Sequence, residues 1–227
     1  MAKKTIVILG DTHFPYCHVQ TIYHFYEWIE KYQPDYIIQI GDLKDCYAQS
    51  RFAKKITDPE EEVRVAHIWA KEFWYDVKQR CKKAQLIQIL GNHDLRIVKK
   101  AIEKCPELLP FLNWQDSFKF DGVKTIYDTR AEFLIEGINI THGHRKHGTH
   151  MLECMNHTTC GHTHTGGVVF KTFRNNLIWE LNVGYAGDPT HEALAYTPKA
   201  YVNWTHGFGV IDEYGPRFIP WDKKNRK

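Results

Sequence analysis

Four short polar motifs, each placed after a run of mainly apolar residues, constrain the fold of this chain more than any other feature of its sequence. They read DTH at 11–13, GDLKD at 41–45, GNHD at 91–94 and GHTH at 161–164. Continuous apolar runs, such as those before the first three motifs, are typical of strands that are covered on both faces. Because open α/β folds bind their ligands beyond the carboxyl ends of the strands, we expect the motifs to meet at one rim.

The rest of the pattern predicts an α/β protein that alternates strands and helices in its first half and is richer in strands in its second. Helical spacing predicts helices over 19–32, over about 60–83 with Asp58 as N-cap, and from Asp94 to the Cys105-Pro106 pair. Strands are predicted at 5–9, 36–40, 85–90, 133–135, 139–141, 168–173 and 177–183. Without repeats or linkers, we expect a single domain over 1–227 with a basic tail at about 222–227.

Composition excludes several classes of protein. Hydrophobic residues make up 43% and charged residues 25% of the chain, and a net charge of +3 is too small to indicate nucleic-acid binding by itself. No apolar run reaches the roughly 18 residues of a membrane-spanning helix, and the apolar start is too short for a signal peptide. We therefore expect a cytoplasmic protein without membrane contact, whose six scattered cysteines are reduced.

The motifs supply a donor set that suits transition-metal ions. Seven candidate ligands offer oxygen or nitrogen and no thiolate: Asp11, His13, Asp42, Asn92, His142, His162 and His164. Such a set fits Mn²⁺, Fe, Zn²⁺, Ni²⁺ or Mg²⁺, and the many imidazoles favour a transition metal, with Mn²⁺ preferred. Seven ligands are too many for one small ion. Two ions about 4 Å apart activate water for in-line displacement at phosphorus, which predicts a metal-dependent phosphoric ester hydrolase.

A glycine directly precedes a candidate ligand at four places, namely Gly10, Gly41, Gly91 and Gly161. Because glycine lacks a Cβ, we expect each one to allow the sharp turn that aims the next side chain at a metal. Alternation along an extended segment would also place Asp11 and His13 on the same side.

Taken together, the motifs resemble those of the calcineurin-like metallophosphoesterase superfamily, whose pattern is DxH, GDxxD, GNH(D/E), a histidine in an HG context and GHxH. The flanks at 11–16 and 91–96 are similar to phosphoesterases often encoded by bacteriophages. The resemblance implies a four-layer α/β/β/α sandwich with mixed sheets and outer helices, and hydrolysis by in-line attack of a metal-bridging hydroxide. It also implies that Asp42 bridges two ions, one held by Asp11, His13 and His164 and the other by Asn92, His142 and His162.

The same resemblance assigns catalysis to His93, which would contact the phosphate and protonate the leaving oxygen. Asp45 would pair with His93 and raise its pKa. Asn92, His144 and Arg96 are the candidates for substrate binding, although a solvated loop and a surface salt bridge account equally well for the last two. His147 and His150 are expected to take no part.

The substrate stays open. Protein Ser/Thr phosphatases carry a phosphate-binding arginine after the second Asp of GDxxD, whereas this chain has Cys46, which favours a phosphodiester over a phosphomonoester. The alternatives are a phosphomonoesterase acting on nucleotides or proteins, a nuclease, and a non-catalytic scaffold of the same fold. Whether the basic stretch at 51–55 forms a lid, and how many chains associate, is likewise open.

Overall fold

Two mixed β-sheets pack face to face in the computed structural model, which describes residues 4–50, 58–128, 133–194 and 203–222. The predicted basic tail, apart from Asp222, and the basic stretch at 51–55 lie outside these residues. One hydrophobic cluster fills the space between the sheets, where Ile8 and Ile38 meet Leu181 and Val183. The α/β class with mixed sheets and helices is thereby confirmed.

The first sheet has six strands in the order β11-β10-β1-β2-β3-β4. They are β1 (Ile6–Leu9), β2 (Tyr36–Gln39), β3 (Gln85–Ile89), β4 (Val123–Ile126), β10 (Gly207–Asp212) and β11 (Gly215–Pro220). Strands β1 to β4 run parallel, whereas β10 is antiparallel to both β1 and β11.

The second sheet has five strands in the order β5-β6-β7-β9-β8. They are β5 (Phe133–Ile135), β6 (Ile138–Ile140), β7 (Thr158–Cys160), β8 (Gly166–Phe173) and β9 (Asn176–Val183). Strands β6, β7 and β9 run parallel, and β5 and β8 are antiparallel to their neighbours.

Helices cover the outer faces of this sandwich. They are α1 (Val19–Tyr32), α2 (Pro59–Arg80), α3 (Arg96–Lys104) and the short α4 (His150–Cys154), with single 3₁₀ segments at Tyr47–Gln49, Pro106–Phe111 and Trp114–Phe118. Phe25 of α1 and Phe73 of α2 join Val7 and Leu9 in a second hydrophobic cluster on the outer face of the first sheet. None of the helices in the described part of the chain is long and apolar enough to cross a membrane.

The predicted elements lie within a few residues of those in the structure. Asp58 caps α2 as expected, because its side chain accepts a hydrogen bond from the backbone of Glu61. The sequence did not predict β4, β10 or β11. For β7 it indicated a strand before the GHTH motif but not its bounds. Glycine and proline in Gly207–Asp212 and Gly215–Pro220 lower strand propensity, so periodicity could not find those two strands.

Candidate metal centre

Parallel pairing brings the predicted ligands to one rim. Asp11 follows β1, Asp42 follows β2 and Asn92 follows β3, each within three residues of the strand end. His142 and His162 come two residues after β6 and β7 of the facing sheet. The carboxyl ends of five parallel strands therefore deliver the motifs to a common place, as the fold class led us to expect.

The backbone is strained where the ligands lie. Asp11, His13, Asp42, His162 and His164 all have positive φ angles, between 52° and 67°. Non-glycine residues seldom adopt this left-handed conformation, and such strain concentrates at functional sites because the surroundings must hold it in place. Asp11 and His13 do face the same site as expected, but left-handed backbone and not extended alternation places them there.

The role expected of the glycines also needs correction. Of the four, only Gly41 has a positive φ, so the ligands themselves make most of the turns. The glycines instead allow close approach: a Cβ on Gly91 would overlap the carboxylate of Asp42, and one on Gly161 would lie 2.5 Å from Oδ2 of Asp11. Their missing side chains leave room for the carboxylates of neighbouring motifs.

The seven predicted ligands meet in two adjoining groups. Oδ1 of Asp11 lies 3.2 Å from Nε2 of His164, and that nitrogen lies 3.4 Å from Nε2 of His13. In the second group, Oδ1 of Asn92 lies 3.2 Å from Nε2 of His142 and 3.0 Å from Nδ1 of His162.

Asp42 lies within the second group, with Oδ2 placed 3.3 Å from Nε2 of His142. Donor atoms of Asp11, Asp42 and His142 lie within 4.8 Å of one another, as do those of Asp11, His13 and His164. Groups spaced in this way could hold a metal ion.

Hydrogen bonds behind the rings show which nitrogen atoms aim lone pairs into the site. Nδ1 of His142 lies 3.0 Å from the carbonyl oxygen of Ile40, which can only accept, so Nδ1 donates and Nε2 of the neutral ring keeps its lone pair. That lone pair faces oxygen atoms of Asp42 and Asn92. Because Nε2 faces a buried carboxylate, positive charge is needed at that point; a proton on Nε2 supplies it in the metal-free protein, and a metal ion that displaces this proton can take its place.

The first group follows the same rule. Nδ1 of His13 donates to Oδ2 of Asp45 at 2.8 Å, which leaves the lone pair of Nε2 directed at His164. Both rings are buried. An inner hydrogen bond that fixes the ring and leaves the other nitrogen free is the usual arrangement behind metal-binding histidines.

The electrostatics of the site favour positive charge at its centre. Burial lowers the pKa of His142, but the facing carboxylate of Asp42 outweighs that effect and raises the pKa to about 9. Burial would likewise raise the pKa of Asp42, yet His142, His93 and His13 hold it well below its ordinary value. The carboxylates are therefore ionised and ready to bind a cation at neutral pH.

Asp45 joins the metal-ligand candidates to the predicted acid. Its Oδ2 accepts from Nδ1 of His13 and, at 3.0 Å, from Nδ1 of His93. Its Oδ1 accepts from Nη1 of Arg96 at 2.8 Å, while Nη2 of Arg96 donates to Nε2 of His93 at 3.0 Å. Burial would raise the pKa of Asp45, but hydrogen bonds from both histidines lower it far below its usual range. Arg96 thus belongs to the interior of the site and not to a surface salt bridge.

Sequence reasoning gave no role to Asp94, although it closes the GNHD motif. Its buried carboxylate accepts from the backbone N–H groups of Gly91 at 2.8 Å, Lys44 at 2.9 Å and Leu43 at 3.3 Å. It therefore fastens the loop after β3 to the loop after β2, and with them Asn92 to Asp42.

Aromatic side chains close the site beside His164, and the sequence gave no signal that singled them out. Tyr185, two residues past β9, stacks on the ring of His164 with 4.3 Å between ring centroids. Trp204 meets the same ring edge-on at 4.6 Å. These rings fix the orientation of His164 and shield that side of the site from water.

The next three histidines after His142 in the chain differ in their exposure to solvent. His144 is exposed at the rim, with Nε2 placed 3.9 Å from Oε2 of Glu153. His147 is half-buried, and burial lowers its pKa. His150 is buried and accepts hydrogen bonds from the backbone of the loop itself. Neither of the last two reaches the metal-ligand candidates.

Known proteins similar to this chain agree with the geometry. A family model described as calcineurin-like phosphoesterase matches residues 4–221. The Gene 54 protein of Mycobacterium phage L5 is 26% identical over 247 residues, which cover 96% of this chain and 92% of that protein.

Solved structures were also compared. Yfce, a phosphoesterase from E. coli, aligns with a TM-score of 0.45 at 14% identity, over 92% of this chain and 88% of that one. Vacuolar Protein Sorting 29 from Cryptosporidium parvum aligns with a TM-score of 0.45 at 17% identity, over 92% and 85% of the two chains. The family model covers nearly the whole chain, and the four motifs and the rim at which they meet agree with it. The chain belongs to the calcineurin-like phosphoesterase family.

Proposed function

We propose that this protein hydrolyses phosphodiesters at a centre of two divalent metal ions, with Mn²⁺ as the favoured ion and Fe, Zn²⁺, Ni²⁺ or Mg²⁺ as alternatives. The observation that carries the proposal is the rim itself, where buried histidine lone pairs face buried carboxylates and an amide oxygen. In the proposal, Asp11, His13, Asp42 and His164 would hold one ion, and Asp42, Asn92, His142 and His162 would hold the other.

Two such ions, when bound, supply a water of lowered pKa and positive charge that stabilises an in-line displacement at phosphorus. The chain's own contribution is to hold the ligands rigidly. Backbone N–H groups of one motif bind the carboxylate of another: His93 N donates to Oδ1 of Asp42 at 2.8 Å, and His162 N to the carboxylate of Asp11 at 3.1 Å. Ligands held in this way need no reorganisation during the reaction.

His93 is the proposed general acid. Its Nδ1 donates to Asp45, so Nε2 is the atom proposed to hold the proton and give it to the leaving oxygen, which requires Nη2 of Arg96 to turn from Nε2 toward the substrate. Asp45 is a buried carboxylate, and its contact with Nδ1 fixes the orientation of the ring. Because Asp45 also holds His13, it keeps the proposed acid in a fixed position relative to the metal ligands.

Arg96 and Asn92 are the proposed contacts to the scissile phosphate. Nη2 of Arg96 donates to Nε2 of His93, so the guanidinium borders the place where the leaving oxygen must lie. A guanidinium in that position can bind a phosphate oxygen through charge-assisted hydrogen bonds. Arg96 enters the site from the segment after GNHD, whereas the phosphate-binding arginine of protein Ser/Thr phosphatases directly follows GDxxD.

A diester is favoured because the site has room for a second ester group. A cleft of 740 Å³ begins at His162 and Thr163 and runs along the loop after His142. A phosphomonoester would need no such space. His144 lies on this cleft and completes the proposed set of substrate contacts.

A panel of substrates tests the proposal. The protein is stripped with chelator and reloaded with Mn²⁺, and its rates are measured on bis(p-nitrophenyl) phosphate, on p-nitrophenyl phosphate, and on single- and double-stranded DNA. We expect chelator-sensitive hydrolysis with the diester faster than the monoester. Faster hydrolysis of the monoester than of the diester would indicate a phosphatase. No hydrolysis of any substrate by the metal-loaded protein would indicate a binding scaffold.

A further inference from the structure

The cleft beside His162 carries two basic side chains, Arg145 and Lys146, that the proposed reaction does not use. His144, Arg145 and Lys146 are consecutive, exposed residues on one wall of the cleft. Residues on either side of them, His142 and Gly148, are buried. The chain thus leaves the rim, presents three basic or titratable side chains to solvent, and returns to the interior.

The charge of the cleft is positive on balance. Arg145 forms an ion pair with Glu153 of α4, which also lines the cleft, and this contact fixes the direction of the guanidinium. Lys146 adds a second cation with no second acid among the lining residues. An open cleft of this charge, beside a site for phosphate esters, suits a further anionic group.

The loop is held from inside. Nε2 of His150 accepts from the backbone N–H groups of His144 and Arg145, both at 3.1 Å. The carboxylate of Glu180 on β9 accepts from the backbone of Gly148 and, at 3.1 Å, of Met151. We call His150 and Glu180 the loop anchor.

Because the loop anchor satisfies the backbone, the outward side chains at 144–146 are not needed to close the loop. Lys171 of β8 adds a hydrogen bond from Nζ to the carbonyl oxygen of Gly148 at 2.9 Å. The three side chains are therefore displayed by a rigid support, which is how a specific subsite is built.

We propose that this loop binds a second phosphate of the substrate, so that the protein prefers phosphodiesters that carry a further phosphate on one of their two ester groups. The inference rests on the proposed function and narrows its substrate class to phosphodiesters with a second phosphate. Arg145 and Lys146 supply the charge for this contact.

Two nitrophenyl esters that differ by one phosphate test the inference. They are thymidine 5′-(p-nitrophenyl phosphate) and its 3′-phosphorylated form, each assayed with the Mn²⁺-loaded protein. We expect the 3′-phosphate to raise kcat/KM about fivefold, the effect of one solvent-exposed ion pair. Raising the salt concentration from about 0.05 to about 0.5 M should reduce that ratio, because salt screens exposed charges.

Substitutions locate the effect. Lys146→Ala should bring the ratio of the two kcat/KM values close to one, and Lys146→Glu should bring it below one. The matched control is Lys83→Ala, which removes the same charge from an exposed turn between α2 and β3, at the opposite end of the sheet. It should leave the ratio as in the wild type.

The outcomes separate the inference from the function beneath it. Hydrolysis of both esters at equal rates, or a ratio that Lys146→Glu does not change, overturns the second-phosphate subsite and leaves the phosphodiesterase standing. Failure to hydrolyse either ester with Mn²⁺ bound overturns the proposed function, and the subsite with it.

Discussion

Two buried clusters of histidine and acid lie close together in this protein, and only one of them has the arrangement of a metal site. Asp11, Asp42 and His142 form one, and His150, Cys160 and Glu180 form the other. In each, three potential ligand atoms lie within 4.8 Å of one another. Burial and spacing therefore do not distinguish them.

The two clusters are distinguished by the hydrogen bond on the far side of each histidine ring. Nδ1 of His142 donates to a carbonyl, so its Nε2 lone pair faces the carboxylate of Asp42. In the loop anchor, Nε2 of His150 accepts two backbone N–H groups, so Nδ1 carries the hydrogen and faces Oε1 of Glu180 at 3.7 Å. A ring that turns a proton toward the acid has no lone pair for a metal.

The largest effect should follow the loss of the Asp42 carboxylate. Asp42→Asn removes the charge that both proposed ions share, so we expect kcat for a diester to fall about 1,000-fold or more. Mn²⁺ should no longer raise the melting temperature of this variant, as followed by scanning calorimetry.

Glu180→Gln is the matched control, since it makes the same carboxylate-to-amide change in the loop anchor. The Mn²⁺-induced rise in melting temperature should persist in that variant. Loss of the rise in both variants would remove the distinction between the two clusters.

His93→Ala should separate metal binding from proton transfer. We expect the variant to bind Mn²⁺ as the wild type does and to lose about 100-fold in kcat on diesters with an alkoxide leaving group, because general acid catalysis is lost. Nitrophenolate needs no proton to depart, so rates on bis(p-nitrophenyl) phosphate should change far less. Equal losses on both kinds of ester would show that His93 is not the acid.

The loop anchor should be visible in the pH dependence of stability. Burial would raise the pKa of Glu180, but its contact with His150 and the backbone N–H groups of Gly148 and Met151 lower it to about 2. A carboxyl whose pKa is lowered on folding stabilises the fold above the pKa of the unfolded chain, about 4.3, and loses that contribution as the pH falls toward 2.

Glu180→Gln should therefore be less stable than the wild type at neutral pH, by up to about 3 kcal/mol in free energy of unfolding. The difference between the two proteins should close between about pH 4.5 and pH 2. Urea titrations across that range measure it. A difference that stays constant with pH would mean that the carboxylate is not held ionised in this way.

A smaller effect is expected at Arg96. Arg96→Ala should lower kcat/KM for a diester about tenfold, mainly through KM, because a charge-assisted contact to the phosphate is lost. Arg96→Lys should restore little of the affinity, since an ammonium cannot reproduce the guanidinium geometry. A change confined to kcat would instead make Arg96 a residue that positions His93.

Sequence alone was enough to predict which side chains meet at the rim but not to explain how they are held. Strand periodicity located β1, β2 and β3, and parallel pairing then made it necessary that Asp11, Asp42 and Asn92 share a rim. Left-handed backbone at Asp11 and Asp42 depends on contacts between loops that are far apart in the chain, so no local pattern revealed it.

The loop anchor was out of reach for the same reason. His150 was expected to have no function because its partners, the backbone of its own loop and Glu180 on β9, are defined only by the folded chain. A short motif indicates the chemistry of its own residues. The role of a single buried histidine cannot be predicted until its hydrogen-bond partners are known.

The central claim is that the direction of the histidine lone pairs, and not burial or spacing, makes the rim the proposed metal centre. Isothermal titration of chelator-treated protein with Mn²⁺ tests it most directly on three proteins: the wild type, His142→Ala, and Cys160→Ala as the matched change in the other cluster. We predict two ions bound by the wild type and by Cys160→Ala, and fewer by His142→Ala. A wild type that binds none, or a Cys160→Ala that loses an ion while His142→Ala does not, would contradict the account.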